Sequence, residues 1–257
     1  MNTIPAKKKT GIKLIFISFW VLAAFLTGCG TPADRYAPQM LTPVQISAHS
    51  IGTSVQGRSI DCYTFGSSGR TILVIGAIHG SEPASFVLAE ALRDYLFKHR
   101  HLYADLTILL IPAANPDGLA AGTRYNVNQI DLNRNFPADN RKNTKRFGFE
   151  PLSEPESRAL YELIENERPA RIVSIHQPLN CVDYDGPARS LALRMAALCK
   201  LPVKKLGSLP GSLGSWAGET RGIPIITLEM PAADTGLSRE EVWKKYGDAL
   251  VDFIRSP

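Results

Sequence analysis

Two histidines and two glutamates are the residues of this chain best suited to chemistry: His79, Glu82, His176 and Glu229. Each follows an apolar run. Thr71–Ile75 (TILVI) leads into Gly76-Ala77-Ile78-His79-Gly80-Ser81-Glu82-Pro83, Arg171–Ile175 (RIVSI) leads into His176, and Ile223–Leu228 (IPIITL) delivers Glu229. Imidazole nitrogens and a carboxylate oxygen suit zinc, and a His₂Glu set leaves a fourth position open, as a catalytic zinc requires. His79 and Glu82 stand three apart at a strand-to-helix junction, with Pro83 fitted to the first helical turn. That spacing can aim both side chains at one point. Taken singly, His79 reads as a satisfied loop histidine and Glu82 as a helix-start carboxylate. With His176 and Glu229 at other strand ends, the four together imply one zinc ion and hydrolytic chemistry. An acid closing a buried strand is costly without a partner or a task. Glu229 therefore reads either as half of a salt bridge or as a general base that takes a proton from an attacking water and returns it to the leaving amine. There is no HExxH stretch, so the base must come from elsewhere in the chain than the ligands.

The elements that must position these groups alternate along the chain. Val44–Ser50 and Ile60–Phe65 read as a hairpin turning at Gly57-Arg58, and Thr71–Ile75 as a buried strand. Pro83–Lys98 has apolar residues at helical spacing, and Lys98-His99-Arg100-His101 caps its carboxyl end, where cations are favoured. Leu106–Ile111 is a strand. Ser153–Glu167 is a helix that opens with a capping-box pattern, Ser153 with Glu156. Strand Arg171–Ile175, helix Ala188–Leu201, strand Ile223–Leu228 and helix Ser238–Arg255 complete the series. Continuous apolar strands alternating with helices predict an α/β fold: a single domain with a mixed, mostly parallel twisted sheet and helices on both faces. In such sheets, sites form in the crevice outside the carboxyl ends of the strands. Asn115–Phe149 is long, polar and aperiodic, a length that is often functional, and Asn115-Pro116-Asp117-Gly118 within it reads as a tight turn.

Residues 1–28 read as an export signal. Lys7, Lys8, Lys9 and Lys13 precede the thirteen-residue apolar run Leu14–Leu26, too short for a bilayer span of roughly 20 residues. The ending Leu26-Thr27-Gly28-Cys29 resembles a bacterial lipobox, with Cys29 as the lipidated residue; residues 29–43 read as a tether and 44–257 as the catalytic domain. The chain carries 29 basic and 24 acidic residues; without the four lysines of the leader, 25 basic residues face 24 acidic ones. The basic pI thus belongs to the leader, and nucleic acid is not an expected partner. A membrane partner is expected through Cys29, at an outer-membrane, periplasm-facing address in a Gram-negative envelope. Cys62, Cys181 and Cys199 remain, read as buried free thiols, with Cys181 and Cys199 the pair most able to bridge.

Arg124 and Asp131-Leu132-Asn133-Arg134-Asn135-Phe136-Pro137 lie in the polar segment. An arginine there is a fork for a carboxylate or for a carbonyl oxygen gaining charge. Taken with His79-Gly-Ser-Glu82, Asn115-Pro-Asp-Gly118, Ser174-Ile-His176 and Thr227-Leu-Glu229, this motif resembles the zinc metallocarboxypeptidase family over about residues 50–232. Gly211-Ser-Leu-Gly-Ser-Trp216 and Leu179-Asn-Cys181 resemble the branch that cuts the γ-D-glutamyl–diaminopimelate bond of peptidoglycan peptides. The resemblance implies His79, Glu82 and His176 as ligands of one zinc and Glu229 as base. It also implies Arg124 as the group polarising the scissile carbonyl, and Asn133 with Arg134 as the holders of the substrate's terminal carboxylate. Digestive members carry a mobile tyrosine about two dozen residues before the base. Here Lys205–Ser212 has none, which points away from an ordinary protein carboxyl terminus as substrate. Tyr184 is the candidate for the vacant role, and Asp183 or Asp185 for pairing with the second amine of diaminopimelate. The competing expectations are a deacylase of small N-acyl amino acids sharing the HGxE and DLNRxFP elements, a conventional carboxypeptidase, and a non-catalytic binding lipoprotein.

Overall fold

Strand β5 (Arg171–His176) is buried along all six residues, and β3 (Arg70–Ile75) along its last four. Such strands are stable only with both faces covered. The computed structural model, which describes residues 45–256, covers them in that way. The leader, Cys29 and the whole of the tether lie outside the described residues.

The chain runs β1 (Ile46–Thr53), β2 (Ser59–Phe65), β3, α1 (Pro83–Lys98), β4 (Leu106–Ile111), α2 (Pro116–Ala121), α3 (Pro155–Glu167), β5, β6 (Leu179–Asp185), α4 (Arg189–Cys199), β7 (Ile225–Pro231) and α5 (Arg239–Arg255). One seven-stranded sheet results, in the order β1-β2-β4-β3-β5-β7-β6. The expected mixed sheet is parallel in its middle, where β4, β3, β5 and β7 run together. Its edges are antiparallel, with β1 and β2 on one side and β6 on the other.

Alternate residues of the central strands feed two cores. Ile72 and Val74 join Leu88, Leu92, Met195 and Leu250 on the face of α1, α4 and α5. Leu73 and Ile75 join Leu160, Phe136 and Trp216 on the face of α3. Each fully buried aliphatic side chain contributes about 1.5–3 kcal/mol relative to exposure, so the middle of the sheet holds the described residues together.

Three local expectations fail for identifiable reasons. Helix α3 starts at Pro155 with Glu154 at its N-cap and no side-chain cap. The Ser153–Glu156 box does not form, because Glu156 turns inward to accept from the Val55 N–H at 3.2 Å and from Asn126 Nδ2 at 3.2 Å. Ser153 meanwhile donates to Glu154 Oε1 at 2.8 Å. A true capping box forms at Ser238 and Glu241, starting α5. Asn115-Pro116-Asp117-Gly118 is the first turn of α2 rather than a free turn, with Asn115 Oδ1 accepting the Gly118 N–H at 2.9 Å. Strand β6 is not expected from the sequence, because its pattern LNCVDYD places acids where an ordinary strand would bury apolar groups.

Candidate active site

The loop after β3 is pinned before it reaches its functional residues. Asn115 N–H donates to the Ala77 carbonyl at 2.9 Å, and Ala114 N–H to Gly76 at 3.0 Å. Gly80 lies so close to α2 that a Cβ there would stand 1.8 Å from the Gly118 carbonyl carbon; only glycine permits that approach. Asp117 extends the brace to the β1–β2 turn, accepting from Ser54 Oγ at 2.9 Å and the Gln56 N–H at 3.0 Å, and pairing with Arg58.

His79, Glu82 and His176 are then brought together, 2, 5 and 2 % exposed. Glu82 Oε1 lies 2.8 Å from His79 Nδ1, and its Oε2 lies 3.0 Å from His176 Nδ1. One donor atom from each of the three falls within 4.8 Å of the others. The two rings meet edge to face at 4.9 Å. In the parallel register His176 stands directly beside Glu229, and on the other side of β7 Cys181 of β6 does the same. Glu229 Oε2 accepts the Leu179 N–H at 3.3 Å, and Glu229 lines the same cleft as the His–Glu–His group.

A second layer holds the first. His79 Nε2 meets Asp131 Oδ1 at 3.0 Å, and Asp131 Oδ2 accepts Arg124 Nε at 3.0 Å. Arg124 Nη1 also reaches Glu82 Oε1 at 3.4 Å. Burial by itself would favour the neutral form of each acid and of the ring. The contacts reverse it: His176 and His79 hold the Glu82 carboxyl well below the usual range, and His79 with Arg124 and Arg134 does the same for Asp131. Asp131 and Glu82 likewise raise His79 above its ordinary value. For Arg134, burial is the larger effect and lowers its pKa.

This donor set fits a zinc ion. Asp131 fixes the tautomer of His79 by accepting a hydrogen bond from Nε2–H, which leaves Nδ1 directed at Glu82; an imidazole ligand tied back to a carboxylate through its other nitrogen is the usual arrangement at zinc. Without a cation or a proton there, a lone pair and a carboxylate oxygen would face each other at 2.8 Å.

The cleft is lined by the remaining expected residues with one exception. Arg124, Asn133, Arg134 and Asp185 all border it. Asn133 Oδ1 accepts the Leu213 N–H at 2.9 Å, which orients its amide. Tyr184 is the exception. The two-residue alternation of β6 puts it with Val182 on the opposite face, packed against the α1–α4–α5 core, with Lys205 4.8 Å above its ring. Asp185 borders the cleft, but its Oδ1 is already shared by Lys205 Nζ at 3.1 Å and Ser208 Oγ at 2.8 Å. Asp183 also borders the cleft and accepts the Leu206 N–H at 2.9 Å. Asp131 itself is not singled out by spacing; the signal was the need of a ligand histidine for a carboxylate partner.

Against known proteins, the model of a family described as zinc carboxypeptidase matches residues 37–184. The chain belongs to the zinc carboxypeptidase family. Within that family it is 35% identical to Murein peptide amidase A of Escherichia coli K12 over 202 residues, covering 71% of this chain and 78% of that protein. It is 33% identical to Murein peptide amidase A of Vibrio campbellii over 242 residues, covering 85% and 83%. Among solved structures, the murein-tripeptide amidase MpaA from Escherichia coli O157 matches with a TM-score of 0.65 and 28% identity, over 84% of this chain and 95% of that one. The carboxypeptidase A of Helicoverpa armigera matches at a TM-score of 0.66 with 17% identity, over 81% and 67%, a likeness of fold alone. The sheet, the cleft and the family agree on a metallopeptidase-type enzyme with a zinc carboxypeptidase-like fold.

Proposed function

We propose that the enzyme is a zinc-dependent amidase that cleaves the γ-D-glutamyl–meso-diaminopimelate bond of peptidoglycan-derived peptides. The convergence of His79, Glu82 and His176 beside Glu229 carries the reading, supported by the two relatives named murein peptide amidase. His79, Glu82 and His176 would hold one zinc ion, which would supply Lewis-acid polarisation and a nucleophile from water at neutral pH. Glu229 accepts the proton of the attacking water and delivers it to the leaving amine. Arg124, at the rim and tied to Asp131, binds the carbonyl oxygen as it gains charge. Asn133 and Arg134 orient the substrate's terminal carboxylate, and Asp131 keeps the His79 ring in its working tautomer. Asp183 or Asp185, both bordering the cleft, pairs with the second amine of diaminopimelate. The absence of a tyrosine in residues 205–212 agrees with this substrate rather than a protein carboxyl terminus.

The domain is residues 44–257, exported by residues 1–28 and held by a lipid on Cys29 through the tether 29–43, facing the periplasm from the outer membrane. The test of function is a product assay. With zinc, the L-Ala–γ-D-Glu–diaminopimelate tripeptide should release diaminopimelate, while hippuryl amino acids and N-acyl glutamate stay intact. Turnover confined to the N-acyl amino acids would replace this reading with a deacylase, and turnover confined to hippuryl substrates with an ordinary carboxypeptidase. Labelling with a palmitate analogue, lost on Cys29→Ser, tests the anchor.

A further inference from the structure

Glu82 stands at the N-cap of α1, yet its side chain caps nothing. An N-cap side chain ordinarily accepts the N–H of the second or third helical residue. Here the second is Ala84, 1 % exposed. Its N–H donates instead to Gln177 Oε1 at 3.1 Å, from a residue 93 positions away. The Glu82 carboxylate is thereby left to His79 and His176. Gln177 is 4 % exposed, and its other groups are equally committed. Its backbone N–H donates to Glu82 Oε2 at 3.1 Å. Its Nε2 donates to the Pro231 carbonyl at 3.1 Å and to Thr235 Oγ1 at 3.2 Å. A backbone N–H on one side and a backbone carbonyl on the other fix which way the amide faces.

We propose that Gln177 is a positioning residue that caps α1 in trans, so that Glu82 is available as a metal ligand rather than as a helix cap. The inference rests on the metal-site reading above. Its physical basis is a competition. A buried amide N–H without an acceptor is costly, and with the Gln177 oxygen removed the nearest carboxylate able to satisfy Ala84 is that of Glu82, the residue already in the capping position. Every turn of Glu82 toward its own helix withdraws an oxygen from the two histidines. The same glutamine ties the segment following Glu229 to the ligand strand, so one side chain joins the ends of β5, β7 and α1.

The test reads zinc affinity by chelator competition on the full chain, alongside metal-free thermal unfolding. Gln177→Met removes the oxygen at nearly constant volume. Gln177→Ser, too short to reach Ala84 but roomy enough for a water, serves if the first variant does not fold. Gln177→Glu keeps an acceptor for Ala84, and Thr235→Val removes only an Nε2 partner. The expected result is a loss of about 10–100-fold in zinc affinity for Gln177→Met or Gln177→Ser, the range for groups that orient metal ligands. Gln177→Glu and Thr235→Val should stay within about threefold of the parent on the same principle. A cap-less variant that folds and binds zinc within twofold of the parent overturns the inference while leaving the metal site intact. A parent chain that binds no zinc overturns the site reading and this inference with it.

Discussion

Glu229 and Asp131 are both buried carboxylates within one site, and the structure separates what their removal should do. Glu229 touches no ligand through its side chain; its described partner is the Leu179 N–H. Glu229→Gln should lower kcat by about 10²–10⁴-fold, the usual span for a general base, with zinc content by elemental analysis unchanged. Asp131 meets His79 Nε2, and on the proposed reading it acts on the metal through that ring. Asp131→Asn should instead weaken zinc binding by about 10–100-fold, read by chelator competition, and added zinc should restore much of the turnover. If the two variants gave the same signature, the division into base and tautomer-holder would fail. At this scale the convergence of His79, Glu82 and His176 is legible in the sequence, because histidine and glutamate at strand ends are chemically conspicuous. Asp131 and Gln177 are not, since an acid in a polar loop and an amide beside a ligand have many uses and only the folded chain selects one. Tyr184 shows the opposite error: its type suited the task, but a single step in strand register sends it to the other face.

Elements were legible where apolar periodicity is strong. Helices α1 and α5 and strands β3, β4 and β5 fall within a residue or two of their expected spans. Competing hydrogen bonds spoil the weaker signals. Ser153 and Ser238 both sit three residues before a glutamate, but only Ser238 finds its partner free, since Glu156 is taken by Val55 and Asn126. Ser238→Ala should therefore cost about 1 kcal/mol in denaturant unfolding. The brace through Asp117 is a second test. Burial opposes ionisation of this carboxyl, but the Gln56 N–H, Arg58 and Ser54 outweigh it and lower its pKa. Such a group stabilises the fold above its unfolded value near 3.9 and loses that contribution as pH falls through the lower folded value. Asp117→Ala should cost about 1.5–3 kcal/mol at pH 7, and the gap to the parent should narrow below about pH 4 in thermal melts. A gap that widened in acid would contradict the assignment.

For the whole molecule, the two cores and the metal make distinct claims. On the proposed reading, removing zinc by chelation should lower Tm, because the converged site exists only in the folded state. At a hundredfold excess over Kd the loss is about 2.7 kcal/mol, or roughly 5–10 °C for a domain of this size. The thiols report the integrity of the cores. Cys62, Cys181 and Cys199 are free and buried, and burial pushes Cys62 up to about 12 and Cys181 to about 11. In the Cys29→Ser chain none should react with a disulfide reagent at neutral pH while folded, and three should react in denaturant. The fold class could be read from the sequence because alternation of buried strands and helices leaves few layer arrangements. The antiparallel edge at β6 could not, because its acids serve the cleft and break the pattern that marks a strand.

The β5–β7 pairing carries a practical consequence. His176 and Glu229 are rungs of the same backbone ladder, so their spacing is fixed by main-chain geometry and owes nothing to the segment 205–212, whose Leu206, Gly207, Leu209 and Ser212 line the cleft. Selectivity can therefore be regrafted. Exchanging that segment for a relative's should change which leaving group is accepted while the hydrolytic machinery beneath goes on working unaltered.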